Sequence, residues 1–114
     1  MAIEKFEDIL SWQKGKKLVV SIYRQFNNCR DFSFKDQIQR AAVSIMNNIA
    51  EGFERNTRKE FIHFLYIAKG SCGEVRSMLQ LATELNYINN IENEKLINEC
   101  KEISRMIYGL IKTL

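Results

Sequence analysis

The sequence predicts an all-α protein, an antiparallel up-down-up-down four-helix bundle spanning residues 1–114 as a single domain. Three observations predict it. The 114 residues include five glycines and no proline, so long helices can run without a residue that breaks their hydrogen-bond ladder. Apolar side chains recur at alternating steps of three and four along four segments, which is helical period. The intervals between those segments are short clusters of turn formers, and short connections make consecutive helices antiparallel neighbours. A mass of 13.4 kDa is one domain's worth. With 46% hydrophobic and 27% charged residues, the chain has the balance of an ordinary soluble globular protein rather than a disordered one.

The first helix is expected from about Asp8 to Asn27. Trp12, Gly15, Val19, Ile22 and Phe26 form its seam, Leu18 and Tyr23 widen it, and Lys14, Lys17, Ser21 and Arg24 fall on another stripe. Residues 27–31 lack apolar period and are rich in turn formers. Ser33 with Asp36 reads as a capping box opening the second helix. Ile38, Ala42, Ile45, Ile49 and Gly52 make one seam of that helix, and Val43, Met46, Ala50 and Phe53 make a second beside it. A helix apolar on two adjacent faces is central in a bundle. Thr57 with Glu60 is the next capping box. The third helix follows through Phe61, Phe64 or Leu65, Ala68, Cys72, Val75, Leu79, Ala82 and Leu85, and at about 28 residues it would be ~42 Å long. Gly70 and Gly73 in its middle cost ~1 kcal/mol each against alanine, and close approach of a neighbouring helix is the expected return. After the turn at residues 86–90, Leu96, Cys100, Ile103, Ile107, Leu110 and Leu114 step 4,3,4,3,4 along the last helix.

The net charge of +3 comes from 17 basic and 14 acidic residues. Residues 1–30 hold six basic and three acidic groups, and the remainder of the chain is balanced. The whole excess therefore lies around Lys14, Lys16 and Lys17. A pI near 8.8 falls short of the value above ~9 that marks a dedicated nucleic-acid domain. Three widely spaced cysteines and one histidine argue against a disulfide framework or a metal site. Reduced thiols point to the cytoplasm. Neither a signal peptide nor a membrane span is expected. P-loop, GxGxxG, HExxH and GxSxG motifs are missing, so the reading is of a protein that is not an enzyme and needs no cofactor.

Residues 37–52 read QIQRAAVSIMNNIAEG and residues 60–74 read EFIHFLYIAKGSCGE. With Trp12-Gln13 upstream and the Leu85-Asn86-Tyr87-Ile88 turn downstream, the chain strongly resembles the four-helix bundle proteins encoded in intervening sequences of bacterial 23S rRNA genes, also labelled the S23 ribosomal protein family. A run of Q-x-x-R-A-x-x-S-x-x-x-N-I-A-E-G is not dictated by helical period alone. The resemblance implies a homopentamer. It also implies similarity to the accessory protein of diversity-generating retroelements, a basic pentamer that works with RNA and a reverse transcriptase.

Two groups of residues are candidates for function. Lys14, Lys16, Lys17 and Arg24 form a basic run that reads either as a solvated face or as contacts to RNA or DNA phosphates, which repetition in an oligomer would multiply. Gln37, Arg40, Ser44, Asn47, Asn48 and Glu51 form a polar strip. It reads as a solvated face, as a ligand site, or as a structural network at a helix or subunit contact with Ser71 and Glu74 from the third helix, Arg40 pairing with Glu74. The Glu60–His63 spacing suits a di-iron bundle, but one histidine cannot furnish the two such motifs required. Trp12, Phe61 and Phe64 read as core. Two functions of different class follow: an oligomeric adaptor associated with nucleic acid, and an oligomeric scaffold whose partner is a protein.

Overall fold

The computed structural model describes residues 3–114. Its four helices are α1 (Leu10–Gln25), α2 (Phe32–Phe53), α3 (Arg58–Glu84) and α4 (Asn90–Thr113), preceded by a single 3-10 turn at Phe6–Asp8. The longest dimension is 43 Å, against 22 and 19 Å across. At about 1.5 Å per residue, α3 alone runs nearly that length, so each short connection must reverse the chain. The result is an antiparallel four-helix bundle. Helix α2 packs between α1 and α3, and α4 closes the barrel against α3 and, less extensively, α1.

Each helix starts where a side chain satisfies its free N–H groups, α1 excepted. Thr57 Oγ1 accepts from Glu60 N at 3.1 Å, the capping box expected for α3. Asn89 Oδ1 accepts from Glu92 N at 2.9 Å and opens α4. Helix α2 begins earlier than the Ser33–Asp36 pair suggests: Asp31 Oδ1 accepts from Phe34 N at 3.1 Å, Ser33 lies inside the first turn, and Asp36 turns to Arg40 instead. A carboxylate at this position complements the helix dipole better than a hydroxyl does. Helix α1 has no side-chain cap, and extended Ile9 separates it from the 3-10 turn. That is why it starts after Asp8. Helix α3 ends in a Schellman motif. Asn86 adopts φ 58°, Asn86 N donates to Thr83 O at 3.0 Å and Tyr87 N to Ala82 O at 2.9 Å.

The core is continuous along the bundle. On α2 the five residues of the first seam are all buried, while Val43, Met46, Ala50 and Phe53 are half-buried at its margin. On α1 the inward seam is Ser11, Gly15, Leu18 and Ile22, continued by Phe26. Trp12 and Val19 stand one position to the side and are half-buried. The reason is close approach: Gly15 brings α1 against α2, where a Cβ would sit 3.5 Å from Ile45 Cγ2 and 3.6 Å from Met46 Cβ. Small residues therefore face α2, and the indole is displaced to the flank. On α4 the seam drifts at its end from Leu110 to Ile111, which is the buried one.

The glycines of α3 do not meet a neighbouring helix of the chain. Cβ atoms on Gly70 or Gly73 would find nothing within 4 Å. The tight glycine is Gly52 on α2, where a Cβ would lie 2.6 Å from Phe64 Cβ and 3.1 Å from Phe61 Cδ1. At the opposite end, Tyr87 Oη donates to Asp31 Oδ2 at 2.8 Å, and the Tyr87 ring packs edge-on against Phe34, itself against Phe26. This cluster ties the α1–α2 connection to the α3–α4 connection. Among the described residues no helix is long and apolar enough to cross a membrane.

Candidate nucleic-acid interface

With 11, 15, 18 and 22 facing inward, helical geometry turns 13, 17, 20 and 24 to solvent. Trp12, Gln13, Lys16, Lys17, Val20, Ser21 and Arg24 line an open groove of about 480 Å³ along this outward side of α1. Its residues include three cations and no carboxylate. Lys16, Lys17 and Arg24 make no ion pair among the described residues. Lys16 Nζ lies 5.5 Å from the centre of the Trp12 ring, and Phe6 meets that ring edge-on at 5.2 Å.

Lys14 is separate from this group. It turns toward α4, where Nζ lies 3.2 Å from Glu102 Oε1. The depression it borders, about 330 Å³, shares Lys17 and Ser21 with the groove, also contains Glu99 and Glu102, and is of mixed charge. Of the basic run, then, three members share one groove and the first is neutralised by its neighbour.

The polar strip divides in the same way. Ser44, Asn48 and Ser71 come together between α2 and α3. Asn48 Nδ2 donates to Ser44 Oγ at 2.9 Å and to Ser44 O at 2.8 Å. Ser44 Oγ and Ser71 Oγ are 2.9 Å apart, and Ser71 Oγ donates to Ile67 O at 3.2 Å. A hydroxyl has one proton. Ser71 uses its own on Ile67, so Ser44 donates to Ser71, and the chain runs in one direction from the Asn48 amide to the Ile67 carbonyl. Such a chain satisfies every hydroxyl it contains and fixes the height at which the two helices meet.

Gln37, Arg40, Asn47, Glu51 and Glu74 are exposed and lie outside that chain. Arg40 does not pair with Glu74: its Nε lies 2.8 Å from Asp36 Oδ2, one turn away on the same helix, with both side chains largely in water. The local partner prevails because an i,i+4 pair needs no other helix to hold it. Glu51 pairs with Arg55 at 2.7 Å. Arg55 also reaches Glu60 at 3.6 Å and lies 4.8 Å from the centre of the Phe64 ring. This arginine clamps the α2–α3 turn over the Gly52 contact.

His63 is exposed, and among the described residues no three His, Cys, Asp or Glu side chains are placed to hold a metal ion. Cys72 on α3 and Cys100 on α4 line a small pocket of about 160 Å³ with Lys69 and Arg76. Burial pushes both thiols up to about 12. At neutral pH they are protonated and unreactive.

The sequence profile of the 23S rRNA-intervening sequence proteins matches residues 7–109. The chain belongs to this family. A crystal structure of a protein of unknown function from the S23 ribosomal protein family of Bacteroides thetaiotaomicron superposes with a TM-score of 0.84 at 29% identity, covering 90% of this chain and 99% of that one. No curated protein matches the chain. Within this family member, sequence reasoning missed Trp12, which belongs to the basic groove as well as to the edge of the core. The signal was its position one turn before Lys16, the spacing at which a cation reaches an aromatic face. It also missed Arg55, whose place beside Glu51 and Glu60 in the α2–α3 turn was legible as charge spacing.

Proposed function

We propose that this chain is a non-enzymatic, homo-oligomeric adaptor that associates with nucleic acid in the cytoplasm. The observation that carries the reading is the α1 groove, where Lys16, Lys17 and Arg24 stand on one side of one helix without an ion pair among the described residues and with no carboxylate in the lining. Phosphate groups are the ligands that such a surface attracts, and copies of it in an oligomer would add their contacts along one strand. Self-association is supported by the outward side of α3. Ile67, Gly70, Glu74, Ser77 and Leu81 follow helical steps there, with Ile67 39% and Leu81 48% exposed and the glycine open to a close neighbour. A homopentamer is the assembly that the family resemblance implies.

The test is retention of RNA across a salt series. Three phosphate contacts per protomer on a single strand give a log–log slope of about −2 for each protomer engaged, so binding at ~50 mM salt should fall steeply by ~200 mM. Lys16, Lys17 and Arg24 together changed to Glu should abolish retention while leaving helicity and assembly intact. Light scattering reads the second half of the proposal: a stable 13.4 kDa monomer at micromolar concentration refutes it. An assembled protein that retains neither RNA nor DNA is instead a scaffold for a protein partner.

A further inference from the structure

We propose that the α1 groove takes a single-stranded stretch of nucleic acid, with a base stacked on the Trp12 indole and the flanking phosphates on Lys17 and Arg24. This rests on the nucleic-acid association proposed above and goes further, because phosphate contacts alone require no aromatic ring and do not distinguish one strand from two. The groove supplies what a base needs. Its lining places the half-buried indole and Val20 beside Lys16, Lys17 and Arg24, an apolar floor between cations. Its volume of about 480 Å³ lies within the ~300–1,000 Å³ of ordinary ligand sites. Phe6 meets the ring at 65° between planes, an edge contact that holds the indole in place without stacking on it. Over the ring lies the Lys16 ammonium, 5.5 Å from its centre.

An exposed cation–π contact is weaker than a base stacked on an aromatic ring. An incoming base therefore displaces the flexible Lys16 side chain, whose charge is then free to meet a phosphate. From Trp12 to Arg24 the groove follows the helix for about 18 Å at about 1.5 Å per residue, room for a short run of nucleotides rather than one. A duplex fits poorly, since its bases are stacked on each other and present no free face to the indole. The neighbouring depression between α1 and α4 lacks both features, having Glu99 and Glu102 in its wall and no aromatic ring.

Trp12 is the chain's single tryptophan, so its emission reports on this site alone. The full chain is titrated at low salt with a twelve-nucleotide oligothymidylate, with a twelve-base-pair duplex and with inorganic polyphosphate. The single strand should quench Trp12 emission by more than half and bind at least tenfold tighter than the duplex. Polyphosphate should compete for the site without quenching. Trp12→Leu should lower oligothymidylate affinity about tenfold and leave polyphosphate affinity unchanged, with helicity checked by circular dichroism. Because the quenching is read on the unaltered chain, the test survives even a misfolded variant. Equal affinity for duplex and single strand with unchanged emission overturns the stacking and leaves the phosphate contacts standing. Failure of all three ligands to bind overturns the association with nucleic acid as well.

Discussion

Helix α3 meets the rest of the molecule in two contrasting ways. Near its start, Phe61 and Phe64 press on Gly52 of α2 so closely that a single added carbon would collide. Two turns further on, Gly70 and Gly73 face open space, flanked by exposed Tyr66 and Ile67. Glycine weakens a helix less at its end, where Gly52 lies, than in its interior, where Gly70 and Gly73 lie. In the first the return is visible inside the protomer, a close crossing of α2 and α3. In the second the chain itself shows none. A glycine in a helix thus marks a close approach at one site and open space at another, and the residue alone does not tell which.

Substitutions at the two places should have opposite signs. Gly52→Ala forces Phe64 and Phe61 to move, and overpacking of this kind costs about 1–3 kcal/mol. Chemical denaturation should show it as a lower midpoint with an unchanged slope. Gly70→Ala and Gly73→Ala meet nothing in the protomer, so each should raise its stability by about 1 kcal/mol through helix propensity. If α3 packs against another copy, the same changes should weaken assembly in light scattering. Variants that melt higher and assemble as before would separate the outward glycines from any interface.

The remaining predictions concern two polar contacts, one at the end of the bundle that joins the α1–α2 and α3–α4 connections and one along α2. The Phe34 backbone N–H, and after it the Tyr87 hydroxyl, hold the Asp31 carboxyl below its ordinary 3.8. Its contribution to stability is present above that value and lost as the pH falls below it. The same bond, with burial and the Asp31 charge, pushes Tyr87 above its ordinary 10.0, a contribution present below that pH and lost as the pH rises past it. Tyr87→Phe should therefore shrink both the alkaline and the acid loss, measured as melting temperature from pH 2 to 11, the alkaline loss that remains belonging to the buried Cys72 and Cys100 thiols. The smallest effect belongs to Arg40→Ala. An exposed i,i+4 pair is worth about 0.3–0.5 kcal/mol, so thermal unfolding should barely change. A loss of several kcal/mol would mean that Arg40 meets a partner in the assembly.

The fold was legible because bundle helices declare their inward side by period. All five residues of the first α2 seam are buried, since a central helix has apolar neighbours on both sides. On α1 the period was clear, and Gly15, Ile22 and Phe26 of the expected seam are buried, but Ser11 and Leu18 face inward in place of Trp12 and Val19. Trp12 is larger than Ser11 and looks more like core, yet the small residue faces inward because Gly15 lets α1 and α2 approach closely. Thr57 was legible as a cap. Asp31 was not, because Ser33 and Asp36 match the same pattern two residues on. Within the polar strip, the short side chains Ser44, Asn48 and Ser71 met across helices, while the long ones, Arg40 and Glu51, found partners one turn away. The cations of α1 were plain in the composition. Their convergence with Trp12 was not, because an indole on a helical seam reads as buried until the crossing angle displaces it.

The bond between Tyr87 and Asp31 joins positions 56 residues apart, and that separation gives it a place in time. Helix hairpins form from local contacts and form quickly. Asp31 stands just before α2 and Tyr87 just after α3, so the two meet when the α2–α3 hairpin has closed over its whole length, at its open end and last among its contacts. A contact formed late in folding acts on the rate of escape rather than on the rate of folding, so Tyr87→Phe should speed unfolding and leave the folding limb of a chevron unchanged. On that expectation the tie across one end of the bundle is a latch, lengthening the lifetime of the folded chain without hastening its birth.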